Sequence, residues 1–298
     1  MIWIPITLAG AAAQVMRNGA QASLTGKIGT LGATQVRFVF GLPFAVLFLI
    51  AARVITGDPI PHIGGDALRW GVLGAVSQIG ATALMLVVMH RRAFGVAYAY
   101  IKTEPVIVAV MGVLLLGDRL PPLGWLAVFV VTAGVLLASV KPGDFGKLFH
   151  ERTMIGLGVL AGALFGLAAI AFRGAITSLP EGGFIIRSFT ILVLSLTVQS
   201  GLLGLWLALR DPAAFTGSLR EWRQSIGAGF LGAFASACWF TAFSLTVAAN
   251  VRTLGLAEMP MAALLSGKLT GKGVARHEMA GLLTVMAGVG LLMWSVAA

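Results

Sequence analysis

Among the eleven acidic residues of this chain, Glu104 and Glu258 are set deep inside long apolar runs, and each has a proline close behind it, Pro105 and Pro260. A carboxylate in such surroundings is costly unless it is paired, hydrated or protonated. Two roles meet that requirement. As a functional group each glutamate takes up and releases a proton or a charged solute. As a structural group it satisfies backbone donors beside the proline, or bonds a polar side chain on another helix. A proline inside a helix removes a backbone donor and clashes with the preceding turn, so both runs are expected to kink there, with Pro105 and Pro260 as hinge positions.

Lys102 lies in the same run as Glu104, but residues two apart point to different sides of an α-helix. It therefore needs a partner elsewhere or a wet cavity. With Arg17 and Arg37 it forms a cationic set that favours an anionic or zwitterionic solute. Arg37, Arg173 and Arg187 fall near predicted helix ends, where long side chains snorkel to the interface. Gln14, Asn18 and Gln78 offer hydrogen bonds, and Tyr98 and Trp239 offer aromatic walls; the same residues also serve as ordinary interhelical contacts. Metal-ligand spacing, nucleophile–base pairing and nucleotide fingerprints are lacking, so the expectation is no enzyme, no metal and no cofactor.

Elements that hold such residues must be membrane helices. Of 298 residues 58% are hydrophobic and 11% charged, against roughly 25% charged in soluble domains. Mean hydropathy is +0.95, and the apolar runs are continuous rather than alternating, which disfavours a β-barrel. The 39 glycines suit helices that pack closely in lipid. The net charge of +10 is spread over short loops, without the basic face or aromatic-interleaved patch of a nucleic-acid binder. The expected partners are a small-molecule substrate and the lipid bilayer, with no nucleic acid, in a monomer or homodimer. The single Cys238 forms no intrachain disulfide.

About 20 apolar residues span the hydrocarbon core, and that length divides the chain into ten expected spans: 2–24, 32–55, 67–89, 93–117, 121–140, 153–177, 183–209, 224–247, 250–270 and 278–297. The sequence repeats itself. An offset of 154 carries Glu104 to Glu258, Gly117 to Gly271, Gly134 to Gly288 and Val135 to Val289. The fold expected is all-α integral membrane, with residues 1–140 and 153–298 as two five-helix repeats joined by a linker over 141–152. Five spans per repeat make the halves run oppositely, the inverted-repeat plan that places a transport site near the midplane. Gly158, Gly162 and Gly166 give span six a face without side chains, expected to pack rather than to bind.

Orientation follows from loop cations. Loops after odd-numbered spans hold Lys27, Arg91, Arg92, Lys141, Lys147, Arg152, Arg210, Arg220, Arg223, Lys268, Lys272 and Arg276. Those after even-numbered spans hold Arg53, Arg69, Arg119 and Arg252. The bias of 12 to 4 puts the odd loops in the cytoplasm.

Glu104-Pro105-Val106, then Gly117-Asp118-Arg119-Leu120, then a Gly-rich fifth helix ending Thr132-Ala133-Gly134-Val135-Leu136-Leu137, resemble the EamA type of the drug/metabolite transporter superfamily. The second repeat departs from the pattern, with Gly271-Lys272-Gly273-Val274 where the acidic–basic turn belongs. The resemblance implies ten helices, inverted repeats and alternating access in a multi-pass inner (plasma) membrane protein. The expected function is secondary active transport, as an exporter of a small anionic or zwitterionic metabolite such as an amino acid, possible proton coupling included. The alternative is a lipid or lipid-linked-sugar flippase of the same fold.

Overall fold

A computed structural model describes residues 1–91, 100–141, 143, 152–270 and 275–297. Among them all regular structure is helical, because a helix satisfies every backbone donor and acceptor within one segment and so tolerates lipid. The first six helices are α1 (Trp3–Val39), α2 (Gly41–Thr56), α3 (Gly65–Arg91), α4 (Glu104–Leu116), α5 (Pro122–Ser139) and α6 (Arg152–Thr177). The other six are α7 (Phe184–Arg210), α8 (Pro212–Arg220), α9 (Trp222–Leu245), α10 (Ala248–Gly255), α11 (Glu258–Thr270) and α12 (Arg276–Ala297).

Among the described residues seven helical stretches are long and apolar enough to cross a membrane: Leu24–Thr56, which joins the end of α1 to α2, Gly65–Val88, Pro122–Ser139, Thr153–Thr177, Phe184–Arg210, Trp222–Leu245 and Arg276–Ala297. The expected spans outside this set are the first, interrupted by Gln14, Arg17 and Asn18, and the fourth and ninth, which are broken at the glutamates. α1 is itself two helices joined at Gly29, which stands at φ 70° and ψ 172°. A residue with a Cβ rarely adopts that conformation.

Spans four and nine were expected as kinked single helices, and the structure differs. α4 begins only at Glu104 and is 13 residues long, after a turn at Lys102–Thr103. The second run is divided into α10 and α11 by a turn at Leu256–Ala257. A proline in the first turn of a helix occupies a position whose N–H has no intrahelical acceptor, so starting a new helix at the glutamate wastes no hydrogen bond. A break therefore replaces the kink. Short α8 was also unforeseen. It starts with Pro212, behind Asp211 whose Oδ1 accepts from the Ala214 N–H at 3.0 Å.

Two compact units form, each from two stretches of chain: residues 1–79 with 171–246, and residues 80–170 with 247–298. In the first, α1 packs along α9, and α2 and α9 pack on α7. Small residues permit it: a Cβ on Gly229 would stand 2.6 Å from the Cβ of Phe40, and one on Gly10 would stand 2.9 Å from that of Cys238. In the second unit α5 lies along α12. Gly134 meets the backbone N of Val285, Gly288 meets Val131, and Gly281 meets Ala138, so glycines on both helices bring the backbones together. Apolar side chains with no protein over them, such as Val54, Leu114, Leu283 and Trp294, face outward as lipid requires.

Candidate functional site

The glycine face of α6 fixes the start of α4. A Cβ on Gly158 would lie 2.5 Å from the Tyr100 Cβ, one on Gly162 2.6 Å from the Ile101 carbonyl oxygen, and one on Gly166 3.1 Å from Val108. The backbone just before Lys102 is thus seated directly on α6. There the Thr103 hydroxyl donates to the Tyr100 carbonyl at 2.8 Å, and the Val106 N–H donates to the Thr103 carbonyl at 3.2 Å. The turn closes with Glu104 as the first residue of α4. Glu258 holds the same place in α11. A carboxylate at a helix start is stabilised by the unpaired N–H groups and the positive end of the dipole.

Each glutamate also meets a cation from the other sequence half. Lys102 Nζ donates to Glu258 Oε1 at 2.7 Å, and Arg252 Nε donates to Glu104 Oε1 at 2.6 Å. Arg252 Nη2 contacts the same oxygen. The pairs are well enclosed, with side-chain exposures of 12% and 10% for Lys102 and Glu258, and 20% and 4% for Arg252 and Glu104. Two cations and two carboxylates therefore stand in one unit, paired crosswise between the stretch before α4 and the α10–α11 break.

Arg252 was missed by sequence reasoning, which counted it among loop cations. It lies in α10, where its guanidinium is engaged by Glu104. The available signal was the unmet need of Glu104: with Lys102 aimed elsewhere, a cation a few residues before Glu258 is the symmetric counterpart.

Apart from Tyr98, the remaining predicted residues fall in the first unit. Gln14 and Arg17, one turn apart on α1, face α9. Gln14 Oε1 accepts from the Trp239 indole N–H at 3.2 Å, and Arg17 Nη2 donates to Asn18 Oδ1 at 2.7 Å. Gly232 of α9 makes room for two arginine stems, its would-be Cβ lying 3.2 Å from Arg37 Cγ and 3.5 Å from Arg17 Cδ. Arg17 is buried at 7% exposure. Arg37 also stacks over the Phe38 ring at 5.3 Å. Gln78 Oε1 accepts from Gln199 Nε2 at 2.6 Å, joining α3 to α7. Arg173 Nη1 donates to the carbonyls of Phe243 and Thr246, both at 2.6 Å, where α9 ends. Tyr98 lies outside the described residues.

Chemically, the second unit offers matched opposite charges in a low-dielectric setting, and the first offers arginines, amides and an indole along the α1–α9 seam. Among the described residues no group of three His, Cys, Asp or Glu is placed to hold a metal ion.

Known proteins give this geometry a context. A solved structure described only as "Crystal structure of protein" is similar over 97% of this chain and 96% of its own, with a TM-score of 0.69. At 16% identity that is a likeness of fold. No curated protein matches the chain. The model of the EamA-like transporter family matches residues 4–140, which contain Lys102, Glu104 and Pro105. Over that stretch, somewhat under half of its length, the chain is similar to the EamA-like transporter family, and its seven membrane-length helices among the described residues fit a multi-pass membrane protein.

Proposed function

We propose that the chain is a secondary active exporter of a small zwitterionic metabolite, of the amino-acid class, working by alternating access through ten spans in two inverted repeats, 1–140 and 153–298. The crossed pairs Lys102–Glu258 and Arg252–Glu104 carry this reading. Breaking a buried ion pair on one side leaves an uncompensated charge and costs ~3–5 kcal/mol. A solute opens such a pair cheaply only if it replaces both partners. A zwitterion does so, its carboxylate on the guanidinium fork of Arg252 or the ammonium of Lys102, and its amine on the freed glutamate. A simple anion replaces only the carboxylate, so it needs a proton on the displaced glutamate. That is the route by which proton coupling enters.

Arg17, Arg37, Gln14, Asn18, Gln78, Tyr98 and Trp239 are assigned to solute contact, and Pro105 and Pro260 to the flexing of the broken helices. Four enclosed charges favour a polar solute over the lipid of a flippase. We assign the protein to the inner (plasma) membrane, and the bias of the loop cations supports an orientation with the Lys27 and Arg210–Arg223 ends cytoplasmic.

Proteoliposomes loaded with labelled zwitterionic or anionic amino acids, with and without an imposed pH gradient, test the reading. Gradient-independent exchange of the zwitterion, abolished by Glu104→Gln and by Glu258→Gln, is expected. Wild-type rates in both variants remove the carboxylates from the mechanism, and scrambling of a fluorescent lipid without solute transport replaces the exporter by the flippase.

A further inference from the structure

The two ends of the first unit carry different chemistry. At one end the Gly183 N–H donates to Asp58 Oδ2 at 2.9 Å, and Arg53 and Arg69 share that region with Asp58, Asp66 and Glu181. At the other end, where α7 stops and α9 starts, lie Lys27, Arg210, Arg220 and Arg223, with Asp211 and Glu221 as the acids. Those acids are already engaged. Asp211 caps α8 through the Ala214 N–H, and Glu221 accepts from Lys27 Nζ at 3.2 Å. Arg210, Arg220 and Arg223 are exposed.

α8 holds this arrangement in place. Its small residues face α1: a Cβ on Gly217 would lie 3.0 Å from Ile28 Cγ2, and one on Gly32 would lie 3.3 Å from the Ala214 carbonyl. Ala214 and Ser218 are buried while Leu219 and Arg220 are exposed. The helix is therefore a short bracket pinned flat on α1, with apolar and cationic residues directed outward. Trp206 and Trp222 are 47% and 48% exposed on either side of it, and Arg223 lies 5.4 Å over the Trp222 ring. Exposed tryptophans beside arginines at the end of membrane-length helices mark the headgroup level of a bilayer.

We propose that Arg210, Arg220 and Arg223, framed by Trp206 and Trp222, form a binding surface for anionic phospholipid headgroups. Charge complementarity selects the occupant: three cations without an unengaged acid beside them, at the depth of the lipid phosphates. An arginine near an anionic membrane surface contributes roughly fivefold in affinity, so three contribute about a hundredfold. The surface is independent of how solute is recognised in the second unit.

The test is the melting temperature of the purified full-length protein in neutral detergent, titrated with phosphatidylglycerol or with phosphatidylcholine. Phosphatidylglycerol is expected to raise it and phosphatidylcholine to leave it flat. The triple substitution Arg210→Gln, Arg220→Gln, Arg223→Gln should weaken the apparent affinity for phosphatidylglycerol about a hundredfold, and the corresponding Arg→Lys triple should keep most of it. Arg53→Gln with Arg69→Gln, at the opposite end, should not change it. Equal responses to the two lipids, an undiminished response in the Gln triple, an equal loss in the Arg53/Arg69 variant, or full replacement of the lipid effect by millimolar inorganic phosphate overturns the proposal. Should the Gln triple not fold, the two-lipid comparison on the wild-type chain decides it alone.

Discussion

Arg252 and Glu104 stand 148 residues apart in sequence and 2.6 Å apart in space, Nε to Oε1. The bond fastens α10 to the start of α4 and leaves the Glu104 side chain 4% exposed. Truncating one member of so enclosed a pair strands the other charge. Glu104→Ala and Arg252→Ala are each expected to destabilise the protein by ~3–5 kcal/mol, and the double variant to lose clearly less than the sum. Melting temperatures of the four proteins in detergent check it; strict additivity would mean that the two groups act independently.

Lys102 and Glu258 form the mirrored pair, and here stability and transport should separate. Glu258→Gln keeps an acceptor for the Lys102 ammonium, so its melting temperature should fall by no more than ~1–2 kcal/mol in equivalent stability. Its exchange of the zwitterion should nonetheless be abolished, because a neutral amide does not take up the solute's amine as the freed carboxylate does. Lys102→Met leaves Glu258 without its cation and should cost more stability than Glu258→Gln. Paired unfolding and flux measurements distinguish these outcomes, and a Glu258→Gln protein that exchanges the zwitterion at the wild-type rate would confine Glu258 to architecture.

Residue types and the 154-residue echo made Glu104 and Glu258 legible as equivalents, because a charge in an apolar run stands out without any knowledge of its neighbours. The same echo relates Gly134 to Gly288, which both sit in the close α5–α12 contact. Arg252 was not legible. A cation a few residues from an estimated helix start looks like a loop residue, and only the α10–α11 break turns it inward. α8 escaped notice because nine residues led by proline and rich in small side chains carry no apolar stripe long enough to read. Breaks in place of kinks at Pro105 and Pro260 reflect a balance invisible in one dimension: a helix start is inexpensive where a carboxylate and a cation are at hand to satisfy it. Nor does a linear reading show that each compact unit draws on both halves of the chain, since that depends on long-range contacts.

Gly162 should be the most sensitive of the three α6 glycines, because the group in its way is backbone. Its added methyl would stand 2.6 Å from the Ile101 carbonyl oxygen, and moving that carbonyl shifts Lys102 and Glu104 with it. Gly162→Ala is expected to destabilise by ~1–3 kcal/mol and to reduce transport more than tenfold. Gly156, with nothing within 4 Å of its would-be Cβ, provides the control: Gly156→Ala should leave both flux and melting temperature near wild type. Equal effects at the two positions would show that α6 tolerates shift at this contact.

Arg173 supplies the last prediction, since its guanidinium caps the end of α9. One guanidinium nitrogen is shared by the Phe243 and Thr246 carbonyls at 2.6 Å each, in the closing turn of α9, whose final carbonyls have no intrahelical donors. A cation there also complements the negative end of the helix dipole. Arg173→Gln should lose charge-assisted hydrogen bonds of ~1.5–3 kcal/mol, and α9 should fray from Thr246 backward, detectable as faster amide exchange in the last turn. Arg173→Lys preserves the charge but offers a compact ammonium in place of the planar fork, so it should recover part of the protection and not all. Unchanged exchange at the end of α9 in Arg173→Gln would mean that lipid or water takes over both carbonyls, and that Arg173 is dispensable to the helix it caps.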